Sequence, residues 1–574
     1  MKKLLRYIKN YRVKAVLAPL FKMLEAGFEL LVPLVMIRLI DVGILKHDTG
    51  YITKCGIILI LLTVVGFIAS ITAQFFAARA AMGFGKELRH DLFRHIETLS
   101  YNELNKVGTS TLITRMTSDI NQVITGVNMF LRLFLRSPFI VIGAVIMAFT
   151  VDVHTSIVFL VILPFLVAVV FGITYASIPK YRAVQEKLDR VTLLTREELM
   201  GIRVIRAFNR QKIEEETFEK AAVDLMNNQF KVGRLSAFMN PVTYLIVNIG
   251  IALLIYVGAL RVKDGLLTEG QVVALVNYMS QILIELVKLA NLIITLTKAV
   301  ACGHRIVDVF DMSSSIEYKN EERTPIKPES IRFENVSMSY PGSKEHAIEN
   351  ISFEAKMGET IGIIGGTGSG KSTLVNLIPR FYDISEGNIT INGIDIKEYS
   401  KFSLRNMVGI VPQKSDLFKG TIRENICMGM KGISEKEINS ALDISQSSEF
   451  VSTKENGIDY EISQEGKNLS GGQRQRLCIA RAVVRNPKVL ILDDSSSALD
   501  YVTESKLRNG LKSISSDRIT FIVSQRPSSI MHADHIIVMD DGNAVDIGTH
   551  DELYKSNDLY REICDTQLKE RRDA

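Results

Sequence analysis

At 574 residues, 47% of them hydrophobic, the chain is too long for one compact domain and too apolar for an ordinary soluble protein of that size. At least two domains follow, one of them in a membrane. A balance of 68 Lys and Arg against 63 Asp and Glu leaves a net charge of +5, which implies no nucleic-acid partner. Five scattered cysteines without ligand spacing imply neither a disulfide framework nor a zinc site.

The N-terminus carries Lys2, Lys3, Arg6, Lys9, Arg12 and Lys14 without the apolar core or cleavage site of a signal peptide, so it reads as a retained cytoplasmic elbow. Six apolar runs follow, each near the roughly 20 residues needed to cross about 30 Å of hydrocarbon. They lie at Ala15 to Ile40, Cys55 to Ala77, Phe134 to Val151, Ser156 to Ile178, Val242 to Val262 and Val272 to Leu296. Long polar stretches with helical periodicity separate the second run from the third and the fourth from the fifth. They are expected as helical extensions rather than loops. Basic residues crowd these stretches (Lys86, Arg89, Arg94; Lys180, Arg182, Lys187, Arg190) and are missing from Val151 to His154. The N-terminus and both long connections are therefore expected in the cytoplasm, and six crossings return the chain there. This predicts a multi-pass protein of the cell inner or plasma membrane.

Lys22, Glu25 and Glu29 interrupt the first run, where a charge is costly unless it faces protein or water. Their spacing allows mutual neutralisation on one helix face, or a place in a cavity wall for cationic or polar substrates. Asn248, Asn277 and Gln281 in later runs are open to the cavity-lining reading or to interhelical hydrogen bonds. Around Ser313 to Ser330 the sequence turns polar and contains Pro325 and Pro328, which reads as a linker. The expected division is a membrane domain over 1–305, a linker over 306–330 and a soluble domain over 331–574. In the last, strand-like runs (Ile331 to Val336, Thr360 to Ile364, Val489 to Leu492, Ile519 to Val523) alternate with helical stretches, the pattern of an α/β sheet.

The segment Gly365-Gly366-Thr367-Gly368-Ser369-Gly370-Lys371-Ser372 matches G-x4-G-K-[ST] between an apolar strand and a helix. Glycines let backbone N–H groups close round an anion, and the helix N-terminus favours negative charge, so this is a phosphate cradle. Lys371 is expected to reach the β and γ phosphates of ATP, and Ser372 to ligate Mg²⁺. The strand Val489 to Leu492 ends in Asp493 and Asp494, a carboxylate pair at the strand tip where open α/β sheets bind ligands; Asp493 is the expected Mg²⁺ partner. Between the two lies Leu469-Ser470-Gly471-Gly472-Gln473, which read alone is a helix N-cap with flexible glycines.

In that position the segment resembles the signature of ATP-binding cassette (ABC) transporters. Residues from Ile331 onward resemble the ABC exporter cassette, an α/β P-loop NTPase domain, and the first 300 resemble its multi-pass α-helical membrane domain of six transmembrane helices, the type IV exporter fold. The resemblance implies further roles. Tyr340 stacks on adenine, Thr373 follows Ser372 in the phosphate loop, and Gln413 is the Q-loop residue sensing Mg²⁺ and water. Ser470, Gly471, Gly472 and Gln473 contact ATP held by a facing cassette. Ser497 to Asp500 is the D-loop, Glu465-Gly466 touches the partner's coupling helices, and Thr98 to Thr117 and Gly201 to Arg210 are this chain's coupling helices. The implied partners are a second half-transporter, the lipid bilayer and a small amphipathic substrate.

Two positions depart from the family pattern. The catalytic glutamate after the Walker B aspartate is Asp494, and the switch histidine is Gln525. One methylene less withdraws the carboxylate, and an amide cannot replace an imidazole that positions protons. With phosphate loop and signature intact, the pattern resembles the degenerate-site subunit of heterodimeric bacterial multidrug exporters. A slow homodimeric exporter of lipid or peptide, or a regulatory or channel-like ATP-binding subunit, is the alternative.

Overall fold

The computed structural model describes residues 2–319, 328–343, 345–430 and 432–570; Pro325 of the expected linker lies outside them. The chain forms two compact units. One comprises Met1–Thr98 and Gly108–Met312, the other Leu99–Val107 and Ser313–Ala574.

Six long helices build the first unit: α1 (Arg12–Arg38), α2 (Thr49–Thr98), α3 (Thr109–Val151), α4 (Val153–Ala207), α5 (Gln211–Lys263) and α6 (Glu269–Phe310). Helix α3 takes π-helical turns near its start and is interrupted by a turn at Phe134 and Leu135. Five of the six, α2 to α6, are long and apolar enough to cross a membrane. Helix α1 falls short because Lys22, Glu25 and Glu29 share its central turns. At about 1.5 Å per residue, the 55 residues of α4 span roughly 80 Å, far more than a bilayer core, so the polar stretches do continue the helices.

The apolar face of α2 splits in two. Ile57, Ile60, Leu61, Phe67 and Ile68 are exposed, as lipid-facing side chains would be, while Ala69, Ala73, Ala77, Ala80 and Ala81 are buried. Small residues let helices approach closely, and Ala77 and Ala80 meet Ala18 of α1 and Leu131 of α3. Asp152 caps α4 by accepting from the Thr155 N–H at 2.7 Å and pairs with Arg261 at 2.9 Å.

The three charges of α1 belong to a wider network. Lys22 donates to Glu25 at 2.5 Å and to Ser70 of α2 at 3.0 Å. Glu29 does not use Lys22; it accepts from Arg136 of α3 at 2.7 Å. Arg136 also donates to Glu285 of α6 at 2.5 Å, and Glu285 accepts from Ser137 and Lys288, each at 2.8 Å. Arg136 and Glu285 sit at similar depths, roughly 22 Å from Val151 and roughly 24 Å from Glu269 at about 1.5 Å per residue.

The second unit is organised by a sheet of ten strands. In chain order they are β1 (Ser330–Met338), β2 (Ile348–Lys356), β3 (Thr360–Gly365), β4 (Glu386–Ile391), β5 (Ile394–Asp395), β6 (Val408–Val411), β7 (Val489–Asp493), β8 (Ile519–Val523), β9 (His535–Asp540) and β10 (Asn543–Gly548). Across the sheet the order is β5-β4-β1-β2-β10-β9-β3-β8-β7-β6. Strands β9, β3, β8, β7 and β6 run parallel. Strand β7 is buried along its whole length, as expected of a parallel strand covered on both faces, and its Val-Leu-Ile-Leu run satisfies that burial. Register places the ends of the central strands level: Val523 lies beside Ile363 and Asp493, and Val411 beside Leu492. Gly365, Ser524, Asp494 and Pro412 therefore leave the sheet along one edge, where ligands of such sheets bind.

Candidate functional site: a phosphate cradle at the sheet edge

From the end of β3 the chain turns through Gly366 to Ser369 into helix α7 (Lys371–Leu377). Gly370, at the turn into α7, is in the left-handed region (φ 90), and a Cβ there would lie 2.7 Å from the Ala347 carbonyl oxygen, so only glycine fits. The Lys371 ammonium is buried and folds back onto its own loop, donating to the Gly365 and Gly366 carbonyls at 3.0 and 2.5 Å and to Ser369 at 3.3 Å. Burial pulls its pKa down, opposed by Asp494 and Asp493. Ser372 donates to Asp493 at 2.9 Å.

Burial pushes the pKa of Asp493 up, against the Ser372 hydroxyl and Lys371. Asp494 is pushed up by burial too, against a hydrogen bond from Gln413 and the charges of Arg526 and Lys371. The buried Lys371 thus faces the buried Asp493 and the half-buried Asp494 without a direct ion pair to either, an arrangement typical of sites that await a charged ligand. The loop offers N–H groups, and Ser372, Asp493 and Gln413 offer only oxygen toward a metal, a donor set that suits Mg²⁺ held partly by phosphate and water.

A cavity of about 450 Å³ joins these groups. Tyr340, Thr367, Gly368, Gly370, Lys371, Ser372, Thr373, Gln413, Asp493, Asp494 and Gln525 all line it. Tyr340 shares a hydrogen bond with Thr373 at 2.9 Å and meets Tyr382 edge to face, with ring centroids 5.2 Å apart. Ser470, Gly471, Gly472 and Gln473 do not reach this cavity. Ser470 and Gln473 form a capping box at the start of helix α8 (Gly471–Val483).

Some of the wall was not foreseen from the sequence. His346, Asp541 and Gly542 line the cavity, from the β1–β2 connection and the β9–β10 hairpin. Asp541-Gly542 is a recognisable hairpin turn, but its place beside the phosphate loop follows only from the sheet order. Arg526 was also missed: it donates to the Ser497 carbonyl at 3.2 Å and lies close enough to bias Asp494.

Of the expected coupling segments, Tyr101–Val107 is a short helix within the second unit, with Tyr101 4.9 Å from the Phe381 ring and Asn105 donating to Tyr382 at 3.4 Å. Gly201 to Arg210 forms no separate helix; it is the end of α4 and the turn into α5, with Phe208 exposed.

Residues 16–286 match the ABC transporter transmembrane region, and residues 348–497 match the ABC transporter family. The chain is 37% identical to the uncharacterized ABC transporter ATP-binding protein YfiB of Bacillus subtilis, covering 99% of each. It belongs to the ABC transporter family. A second relative from that organism, the putative multidrug export ATP-binding/permease protein YgaD, is 32% identical over 99% of each chain. Among solved structures, a bacterial Atm1-family ABC exporter with ATP bound superposes with a TM-score of 0.81 over 96% of this chain and 97% of that one, at 24% identity. The protein is accordingly an ABC half-transporter of exporter fold, one transmembrane region fused to one cassette, and a translocating ATPase of the membrane.

Proposed function

We propose that the protein is one subunit of a heterodimeric, ATP-driven efflux transporter that moves drugs or other amphipathic compounds by alternating access. The cassette and both termini lie in the cytoplasm. Its partner is a second half-transporter with a glutamate after its own Walker B aspartate, so that this chain's Ser470 and Gly472 complete the partner's competent ATP site. This chain's own site holds ATP and turns it over slowly.

One observation carries the reading: Asp494 and Gln525 line the same cavity as Lys371 and Ser372, in the places where the family pattern has glutamate and histidine. Lys371 and the loop N–H groups hold the phosphates, and Tyr340 offers a ring to the base. Mg²⁺, held by Ser372 and Asp493 with Gln413, would offset phosphate charge. What is weak is the last step. The Asp494 carboxylate is short and already engaged by Gln413, and Gln525 can donate a hydrogen bond but cannot shuttle a proton. Closure of two cassettes on ATP would then reach the membrane helices through Tyr101–Val107 and the turn at Gly201 to Arg210, a rigid-body switch biased by nucleotide.

The test is trapped-nucleotide analysis of the purified transporter. Intact triphosphate is expected on this chain and diphosphate on its partner; equal turnover on both would sink the asymmetry. The slow homodimer is the second reading, favoured by a phosphate loop and a signature that are both intact in one chain. Purification of a single species of subunit with weak but full-cycle transport would establish it instead.

A further inference from the structure

Two residues beyond the signature, Gln475 lies in the first turns of α8 and is 3% exposed. A buried amide needs partners at both ends. Its Nε2 donates to the Asp494 carbonyl at 3.1 Å, and its Oε1 accepts from the Ala498 N–H at 3.1 Å. The backbone fixes the direction of the amide, because the peptide N–H requires an acceptor and the carbonyl requires a donor. Glutamate lacks the donor, and an aliphatic chain lacks both.

The two peptides that Gln475 joins belong to the chain's own nucleotide site and to its D-loop. Asp494 lines the cavity with a left-handed backbone (φ 47), and its N–H donates to the Val523 carbonyl at 3.0 Å, two residues before Gln525. Ser497 adds a second donor to the Asp494 carbonyl at 3.0 Å. On the signature side, Gly472 lies so close that a Cβ would sit 3.1 Å from the Ala498 carbonyl oxygen. The neighbouring arginines turn elsewhere: Arg474 donates to the Leu469 carbonyl at 2.7 Å and Arg476 to the Gln446 carbonyl at 2.5 Å. In the first turns of α8 it is Gln475 that bridges to the Walker B turn.

We propose that Gln475 is a positioning residue that couples the two ATP sites: it ties the signature helix to the Walker B turn and D-loop of the same chain, so that nucleotide in this chain's cavity sets the placement of Ser470 and Gly472 in the other site. The inference rests on the reading that the signature faces a second chain's nucleotide. Movement of Asp494 on binding would be carried through the amide to the N-terminus of α8, and a shift there on the order of 1 Å is enough to alter turnover severely.

The test uses the full-length protein, with whatever chain co-purifies, in lipid nanodiscs. Gln475→Ala and Gln475→Glu are compared with the wild type for phosphate release against ATP concentration, for binding of a fluorescent ATP analogue, and for thermal stability. The expected result for Gln475→Ala is a fall in kcat of about tenfold and loss of sigmoidal ATP dependence, with analogue affinity nearly unchanged; the melting temperature falls modestly because the Ala498 N–H loses its acceptor, and turnover is read well below the melting point of every variant. Gln475→Glu keeps an acceptor for the Ala498 N–H but sets an oxygen against the Asp494 carbonyl, so its turnover should fall at least as far as that of alanine. Unaltered kcat and cooperativity in both variants, or a loss that follows melting temperature alone, would overturn the proposal. Ser470→Arg separates this from the underlying reading. If that variant hydrolyses ATP normally, the two-chain site is wrong; if it is inactive while the Gln475 variants behave as wild type, only the coupling fails.

Discussion

Both units bury charge, and they do so in opposite ways. In the membrane unit Lys22, Arg136 and Glu285 are at most 6% exposed, and each is paired at 2.5 Å. In the cassette Lys371, Asp493 and Asp494 share a cavity, yet the lysine spends its donors on its own loop and burial drives both carboxyls toward the neutral form. Paired charges in a low-dielectric setting hold helices in register, and unpaired ones mark a place where a ligand is to complete them. The difference separates scaffold from site without reference to any motif.

Lys371→Ala is the severest way to sharpen this contrast. It removes the cation expected at the β and γ phosphates, and ATP binding by this chain should fall by on the order of 100-fold, the scale of losing a charged contact to a phosphate. Equilibrium binding of labelled ATP checks it. Melting temperature without nucleotide should hold or rise, since a buried, unpaired ammonium is gone. A lysine that served only as scaffold would show the reverse.

Arg136→Ala attacks the other side of the comparison. It takes the Arg136 donor from Glu29 and leaves Glu285 to Ser137 and Lys288; breaking a buried pair from one side costs about 3–5 kcal/mol, and the remaining partners place the loss toward the low end of that range. A marked loss of folded protein in detergent or nanodiscs is expected. Glu285→Gln keeps the size and much of the hydrogen bonding and should cost less. If Arg136→Ala instead left stability intact and altered only the choice of transported compound, the network would belong to the substrate path.

A smaller effect, of opposite sign, is expected from Asp494→Glu combined with Gln525→His. Restoring reach and imidazole should raise hydrolysis at this chain's site about tenfold, well inside the range of positioned acid–base catalysis. Single-turnover conversion of ATP trapped on this chain measures it. No gain would mean that Arg526 or the Gln413 contact, rather than the two substitutions, limits the site.

These residues were unequally legible. The phosphate loop, the acidic strand end and the signature carry their chemistry in fixed local spacing, so their identities stood in the sequence before any fold was known. The six apolar runs were legible for the same reason, since crossing a bilayer imposes a length. Arg136 and Glu285 were not, although they lie inside the third and sixth runs: the pairing bridges 149 positions of sequence, and only helix packing brings it together. The pattern of Lys22, Glu25 and Glu29 allowed a closed local set or a cavity wall; Arg136 instead takes Glu29, its two guanidinium nitrogens bridging carboxylates on two different helices. Gln475 is invisible for a subtler reason. Its partners are backbone groups, whose positions no side-chain pattern records.

The finest discrimination comes from pH. Burial raises the pKa of Asp493 in the folded protein above its unfolded value, so the folded state without nucleotide holds the proton more tightly. Ionised Asp493 therefore costs stability at neutral pH, and the cost is relieved as pH falls through the raised folded value. Asp493→Asn keeps an acceptor for Ser372 and removes the charge. Its melting temperature without nucleotide at pH 7 should exceed the wild type by about 2–4 °C, and the excess should vanish at acid pH, where the wild type has neutralised itself. Added Mg²⁺ and ATP should reverse the order at pH 7, because the variant has lost the charge the metal needs. Melting curves at several pH values, with and without Mg²⁺ and ATP, measure both. A carboxylate of the scaffold kind, such as Glu285, would lose stability on the same exchange at pH 7 with or without Mg²⁺ and ATP, so agreement between the two kinds would dissolve the distinction between the units.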